Sequence, residues 1–237
     1  MTTVFSELFE YVKKMRSRYL LVLSAFNIFN CLGDLLAYNK SGKRQALKNQ
    51  KTMQSFGYFF QTTKEACRCL LLIELAKFFD KPNGRYRSLT VYEVLDYSKN
   101  HIGKLTKEHF KEYHRGRKIL EELFDDYKPL SLADIRKMEN KIAGLDLIIK
   151  EIKNYRDKYL AHDDLDKIKV DIKKKDIQSI LNLLKSFIEL YYSRLDFASN
   201  SYKNFTDNPY DETKRIIEHL QNYEKYQLEK INKRLNN

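Results

Sequence analysis

The sequence predicts an all-α bundle built from long antiparallel helices and closed by a C-terminal amphipathic helix. Two observations carry this. Apolar residues recur at steps of three and four over most of the chain. Residues that punctuate loops are scarce, with 7 Gly and 3 Pro among 237 residues, a balance suited to long helices rather than to a turn-rich β protein.

The elements follow in order. A first helix is predicted over 4–38, where Phe5, Leu8, Val12, Met15, Tyr19, Phe26 and Phe29 keep helical spacing. A second fits 45–79 and stops in Asp80-Lys81-Pro82-Asn83-Gly84, because proline removes a donor and glycine accepts positive φ. Thr90 and Glu93 form a capping-box pattern that opens a short helix to about Lys99, and another spans 106–126 before Pro129. Ser131, with Asp134 three residues on, starts a helix whose apolar positions are Ile135, Met138, Ile142, Leu145, Ile149 and Ile152. Continuing that stepping leads to Arg156 and Tyr159. A further helix fits 173–199, and Asn208-Pro209 reads as a cap with proline at the first helical position of the last helix. Ile217, Leu220, Leu228, Ile231 and Leu235 give that helix a narrow apolar seam suited to docking or pairing. The expected organisation is one bundle over 1–205 and, over 206–237, a helix packed on it or projecting from it.

The chain has 44 Lys+Arg against 32 Asp+Glu, a net charge of +12, which favours polyanions such as RNA, DNA or anionic membrane. A lysine-rich composition reaches the same charge without such a partner. Cys31, Cys67 and Cys69 include no CxxC pair, so neither a zinc site nor a disulfide framework is indicated, and a reducing cytoplasm suits them. The apolar stretch 19–38 follows a basic segment but is interrupted by Asn27, Asn30 and Asp34. It falls short of the roughly 20 uninterrupted apolar residues a bilayer span needs, and no membrane partner is expected.

Chemistry is expected at Asn154–Asp164. Arg156 occupies a place on the apolar face that the preceding turns gave to Ile, Met and Leu, and burying an unpaired charge is expensive, so it needs a partner or a task. His162 lies six residues on, near the expected helix end, where the dipole favours an imidazolium. On an ideal α-helix the two side chains would point roughly 120° apart. They converge only if the helix unwinds near Ala161 or a second subunit contributes, which favours a homodimer.

Such a pair suits RNA cleavage without a metal or other cofactor. Attack of a 2′-hydroxyl on its own phosphate needs a group titrating near neutrality and a permanent cation at the phosphate, which histidine and arginine supply. Asp157 would orient one of them, Tyr159 would donate a hydrogen bond or stack on a base, and Lys153 and Lys158 would hold the RNA backbone. In the bland alternative Arg156 pairs with an acid such as Asp163 and His162 is a helix-end residue. His109 and His114 are five apart rather than the four that align metal ligands on a helix, and Glu112 between them suits a lysine partner better. Tyr191, Tyr192 and the helically spaced phenylalanines read as core, and His219 as exposed.

The stretch Arg156-Asp157 to Ala161-His162 resembles the R-x4–6-H signature of HEPN proteins, with a polar residue directly after the arginine. Glu74-Leu75-Ala76-Lys77-Phe78-Phe79-Asp80 followed by Ser88-Leu89-Thr90-Val91 is similar to the abortive-infection, AbiU-type branch of that superfamily. The likeness covers roughly residues 20–195 in order and spacing. It implies an all-α bundle, a homodimer with a composite cleft, and RNase activity in phage defence or in toxin–antitoxin systems, with an antitoxin or other regulatory protein as a partner. On it, Arg156 and His162 inherit the catalytic roles and Asp157 the supporting one. Some relatives bind RNA or a partner without cutting. The tyrosine found shortly after the histidine in the nucleotidyltransferase-paired branch is replaced here by Asp163-Asp164, so an antitoxin of that kind is not implied.

Overall fold

Every regular element among the described residues is a helix. The structure, a computed structural model, describes residues 3–81, 89–117, 124–160, 172–196 and 203–235. Helix α1 (Val4–Asp34) is followed by a single turn, α2 (Tyr38–Ser41), by α3 (Lys43–Ser55) and by α4 (Gly57–Phe78). Gly42 ends α2 and precedes α3 with φ 75°, a left-handed geometry that glycine accepts without a Cβ penalty. The helix expected over 45–79 is interrupted at Phe56, whose φ of −119° and ψ of 38° leave the α region.

Next come α5 (Val91–Asn100) and α6 (Lys107–Tyr113), which open on Thr90 and Thr106; each threonine hydroxyl accepts from a backbone N–H three residues on. The helix expected over 106–126 ends at His114, and Gly116 takes φ 85° shortly after. Ser131 caps α7 (Leu132–Ala143) as expected, and with Asp134 it forms a capping box. The chain turns at Gly144 and resumes as α8 (Asp146–Tyr155), so the single helix anticipated from Ser131 is two, and α8 runs into a π-helical turn, Arg156–Leu160. Then follow α9 (Lys174–Leu195) and α10 (Lys203–Leu235). Pro209 lies inside α10 rather than at its first position, seven residues into the element.

The chain divides into two compact units, one of Met1–Leu21 with Leu72–Ser201 and one of Val22–Leu71 with Tyr202–Asn237. In the first, α7 packs against α5 and α9. Ile135, Met138, Ile142, Ile149 and Ile152 are all buried, as their spacing requires, together with Leu181, Leu184, Phe187, Tyr191 and Leu195 of α9. The Tyr191 hydroxyl meets Ser98 Oγ at 2.9 Å, and because Ser98 donates its own proton to the Val94 carbonyl, Tyr191 is the donor. In the second unit Cys31, Leu32, Leu35 and Phe60 surround Ile217, while Leu228, Ile231 and Leu235 of the predicted seam are exposed. Asn49, buried in that unit, donates to the Leu35 carbonyl and accepts from Gln45 and Gln221, which satisfies both ends of its amide. Among the described residues no helix is long and apolar enough to cross a membrane.

The last carbonyls of α9 lack intrahelical partners, and side chains from elsewhere in the first unit supply them. His114 Nε2 donates to the Leu195 carbonyl at 2.8 Å, and the Tyr127 hydroxyl donates to the Arg194 carbonyl at 2.7 Å. Burial lowers the His114 pKa, outweighing its hydrogen bond to Leu195, and among the described residues its buried Nδ1 has no partner. A group whose folded pKa is depressed contributes stability that is complete above its unfolded value, about 6.5, and is lost as pH falls through the folded value. The melting temperature is therefore expected to drop on acidification below about pH 6.5. His114→Gln keeps a donor for Leu195 but does not titrate, and should flatten that drop; an identical pH profile for the two proteins would contradict the assignment.

Candidate functional site

The end of α4 is fixed by burial. Leu75, Ala76, Phe78 and Phe79 are all buried, so the chain is anchored up to the residue where Pro82 is about to forbid further helix, and Asp80 emerges there. Its carboxylate receives two cations from the α8 segment. Arg156 Nη1 lies 2.6 Å from Asp80 Oδ2 and Lys153 Nζ 3.3 Å from Asp80 Oδ1, and Lys153 also donates to the Phe79 carbonyl at 3.4 Å.

Arg156 stands four residues after the buried Ile152, on the face that packs inward, and only 19% of its side chain is exposed. A guanidinium in that position needs carboxylates. Asp157 supplies the second, accepting from Arg156 Nε at 2.7 Å, whereas Nη2 makes no hydrogen bond to another described residue. Burial works to lower the Arg156 pKa, but hydrogen bonds to Asp157 and Asp80 overcome it and hold the pKa above its ordinary value. Arg156, Lys153, Asp80 and Asp157 thus form a charge-balanced quartet with one guanidinium edge uncommitted among the described residues.

A second cluster ties the neighbouring segments. Arg18 Nε pairs with Glu74 Oε2 at 3.0 Å, its Nη1 donates to the Leu89 carbonyl at 2.8 Å, and its guanidinium carbon lies 4.4 Å from the centroid of the Phe78 ring. Lys77 Nζ meets the other oxygen of Glu74 at 2.8 Å. Burial pushes the Glu74 carboxyl up, yet the hydrogen bonds from Lys77 and Arg18 prevail and hold it below the ordinary value. Arg18 therefore joins the Glu74–Asp80 stretch to the Leu89-Thr90 stretch, and Arg156 joins the first of these to α8.

Of the residues expected from sequence, Arg156, Asp157 and Lys153 come together. Lys158 is exposed, and Tyr159 lies within the π turn. His162 lies outside the described residues, as do Ala161, Asp163 and Asp164. The 120° offset reasoned for an ideal α-helix does not carry over, because Arg156–Leu160 is a π-helical turn. Sequence reasoning missed the partners Asp80, Glu74 and Arg18. An acid at the stop of an apolar helix, set against an arginine on an apolar face, was the available signal. Exposed His109 bonds Thr106 Oγ1 at 3.0 Å, and among the described residues no three His, Cys, Asp or Glu side chains gather as a metal site.

A family model described as AbiU2, of the HEPN type, matches residues 5–216 and takes in every residue of both clusters. The chain belongs to the AbiU2 family of HEPN proteins. No curated protein and no solved structure matches it. Within this AbiU2 chain, stretches far apart in sequence meet through Arg18 and Arg156, so side chains of the matched region hold its own geometry.

Arg18→Lys keeps the charge but cannot pair with Glu74, reach the Leu89 carbonyl and lie over Phe78 together, and it is expected to cost about 1–2 kcal/mol in denaturant unfolding. Lys13→Ala, which removes an exposed pair with Glu10, should cost under about 0.5 kcal/mol. Equal, small losses for both variants would show that the Arg18 cluster does not hold the fold.

Proposed function

We propose that this AbiU2-family chain is a metal-independent endoribonuclease of toxin or phage-defence type, working as a cytoplasmic homodimer with a composite cleft. In the reaction the 2′-oxygen of a ribose attacks the adjacent phosphorus and the 5′-oxygen of the next nucleotide leaves, giving a 2′,3′-cyclic phosphate and a free 5′-hydroxyl. His162 takes the 2′-hydroxyl proton, and a proton reaches the departing oxygen from the imidazole set of the paired site. Arg156 binds the scissile phosphate and stabilises the charge added in the pentacoordinate state. What carries the reading is Arg156, a half-buried guanidinium fixed by Asp80 and Asp157 on one side, with Nη2 uncommitted among the described residues. A cation immobilised before substrate arrives needs no reorganisation in the transition state. Lys158 and Tyr159 follow as backbone and base contacts.

One observation favours a second reading, a non-catalytic module that binds RNA or a regulatory partner. The quartet of Arg156, Lys153, Asp80 and Asp157 is electrically balanced, so Arg156 there would be a structural tie.

Purified protein incubated with total RNA in the presence of a chelator separates the two readings. His162→Ala and Arg156→Ala are expected to lower cleavage by about 100-fold or more, with His162→Ala leaving the melting temperature unchanged. Cleavage by His162→Ala at the wild-type rate would refute the nuclease; RNA retention without cleavage by any form would establish the binding module.

A further inference from the structure

The second unit concentrates positive charge without opposing acid. Between Asp34 and Glu65 the chain carries Lys40, Lys43, Arg44, Lys48, Lys51 and Lys64 and no Asp or Glu. Among the described residues none of the first five makes an ion pair. Arg44, Lys48 and Lys51 step by four and three along α3, opposite its buried residues Ala46, Asn49 and Thr52, so they form one solvent-facing stripe. The first turn of α3 holds Lys43 and Arg44 and no acid, the reverse of what the helix dipole prefers, so this charge does not serve the helix.

Aromatic rings stand at both ends of the stripe. Tyr38 of α2 is exposed before it; beyond it lie exposed Phe56, Tyr58 at 92% and Phe59 at 61% exposure. Beside the stripe is an open cleft of about 650 Å³, where Lys40, Lys48 and Lys214 face Gln45 and Asn222, with Asp34 and Glu218 also in its wall. Unpaired cations flanked by exposed rings match what a flexible single strand requires, cations for phosphates and π faces for unstacked bases.

We propose that α3, with the rings that flank it and the adjoining cleft, is a binding surface for single-stranded nucleic acid. The choice of RNA over DNA rests on the ribonuclease reading; the surface itself does not. Anionic membrane fits less well, because a helix lying on lipid offers an apolar stripe, whereas the outward face of α3 offers cations and a single leucine, Leu47. A duplex would use the cations and leave the rings idle.

The test measures fluorescence-anisotropy binding of a fluorescein-labelled, mixed-sequence 20-nucleotide single-stranded RNA to the full chain carrying His162→Ala, in chelator, across a salt series. The joint change Arg44→Ala, Lys48→Ala and Lys51→Ala is expected to weaken binding at least tenfold at low salt and to reduce the slope of log affinity on log salt by about 2. Tyr58→Ala with Phe59→Ala should weaken it roughly 5- to 100-fold with the salt slope unchanged. All five residues are exposed, and circular dichroism and melting serve as fold controls. Removing Arg215 and Lys225, which are paired with Glu212 and Glu229, should change affinity less than twofold. Equal weakening by that control, unchanged affinity in the α3 variant, or capture by phosphatidylserine vesicles but not by RNA would each overturn the proposal. Because cleavage is disabled throughout, loss of the nuclease reading leaves this result standing, and the reverse holds as well.

Discussion

The ion pair between Arg156 and Asp80 is the constraint on which the candidate site depends. The two stand 76 positions apart in sequence, and each is placed by burial next to it: Phe78 and Phe79 fix the exit from α4, and Ile149 and Ile152 fix the inward face of α8. Once both segments are anchored, an arginine one helical step past Ile152 has to meet a carboxylate or leave the interior, because an unpaired charge there is costly. Asp157 and Lys153 then settle around the pair. The π turn begins at the same residue, so the backbone widens where the guanidinium is held.

Helical class and the larger helices were legible because they depend on local periodicity. The Ser131–Asp134 capping box, the Thr90 cap and the stop after α4 all rest on residues a few positions apart, and each is where the sequence puts it. The interruptions at Phe56 and Gly144 were not legible. Phe56 keeps apolar spacing while its backbone leaves the helix, and Gly144 sits between Ile142 and Leu145 without disturbing the three-and-four stepping. Periodicity reports which face is apolar; it does not report whether the helix beneath is continuous. Pro209 misled in the opposite sense: it stands seven residues into the helix, past the first turn where a missing N–H costs nothing, and so does not mark the start.

The site was legible in part for the same reason. Arg156 stood out as a cation on an apolar face, and its pairing with the adjacent Asp157 is a local matter. That Asp80 is a second partner, and that Arg18 binds Glu74 and the Leu89 carbonyl, are facts about segments brought together by folding, which one sequence does not encode as a pattern. The AbiU2 match spans all of those segments. Their conjunction gives each motif a physical reason: the acid at the end of α4 is what makes an inward-facing arginine on α8 tolerable.

The most direct measurement is a double-mutant cycle on Asp80 and Arg156, with Asp80→Asn, Arg156→Gln and the double variant compared by denaturant unfolding. A coupling energy of about 1–3 kcal/mol is expected, each single change costing nearly as much as both together. Strictly additive losses would mean that the two side chains do not hold each other, and the site built on their pairing would have to be abandoned.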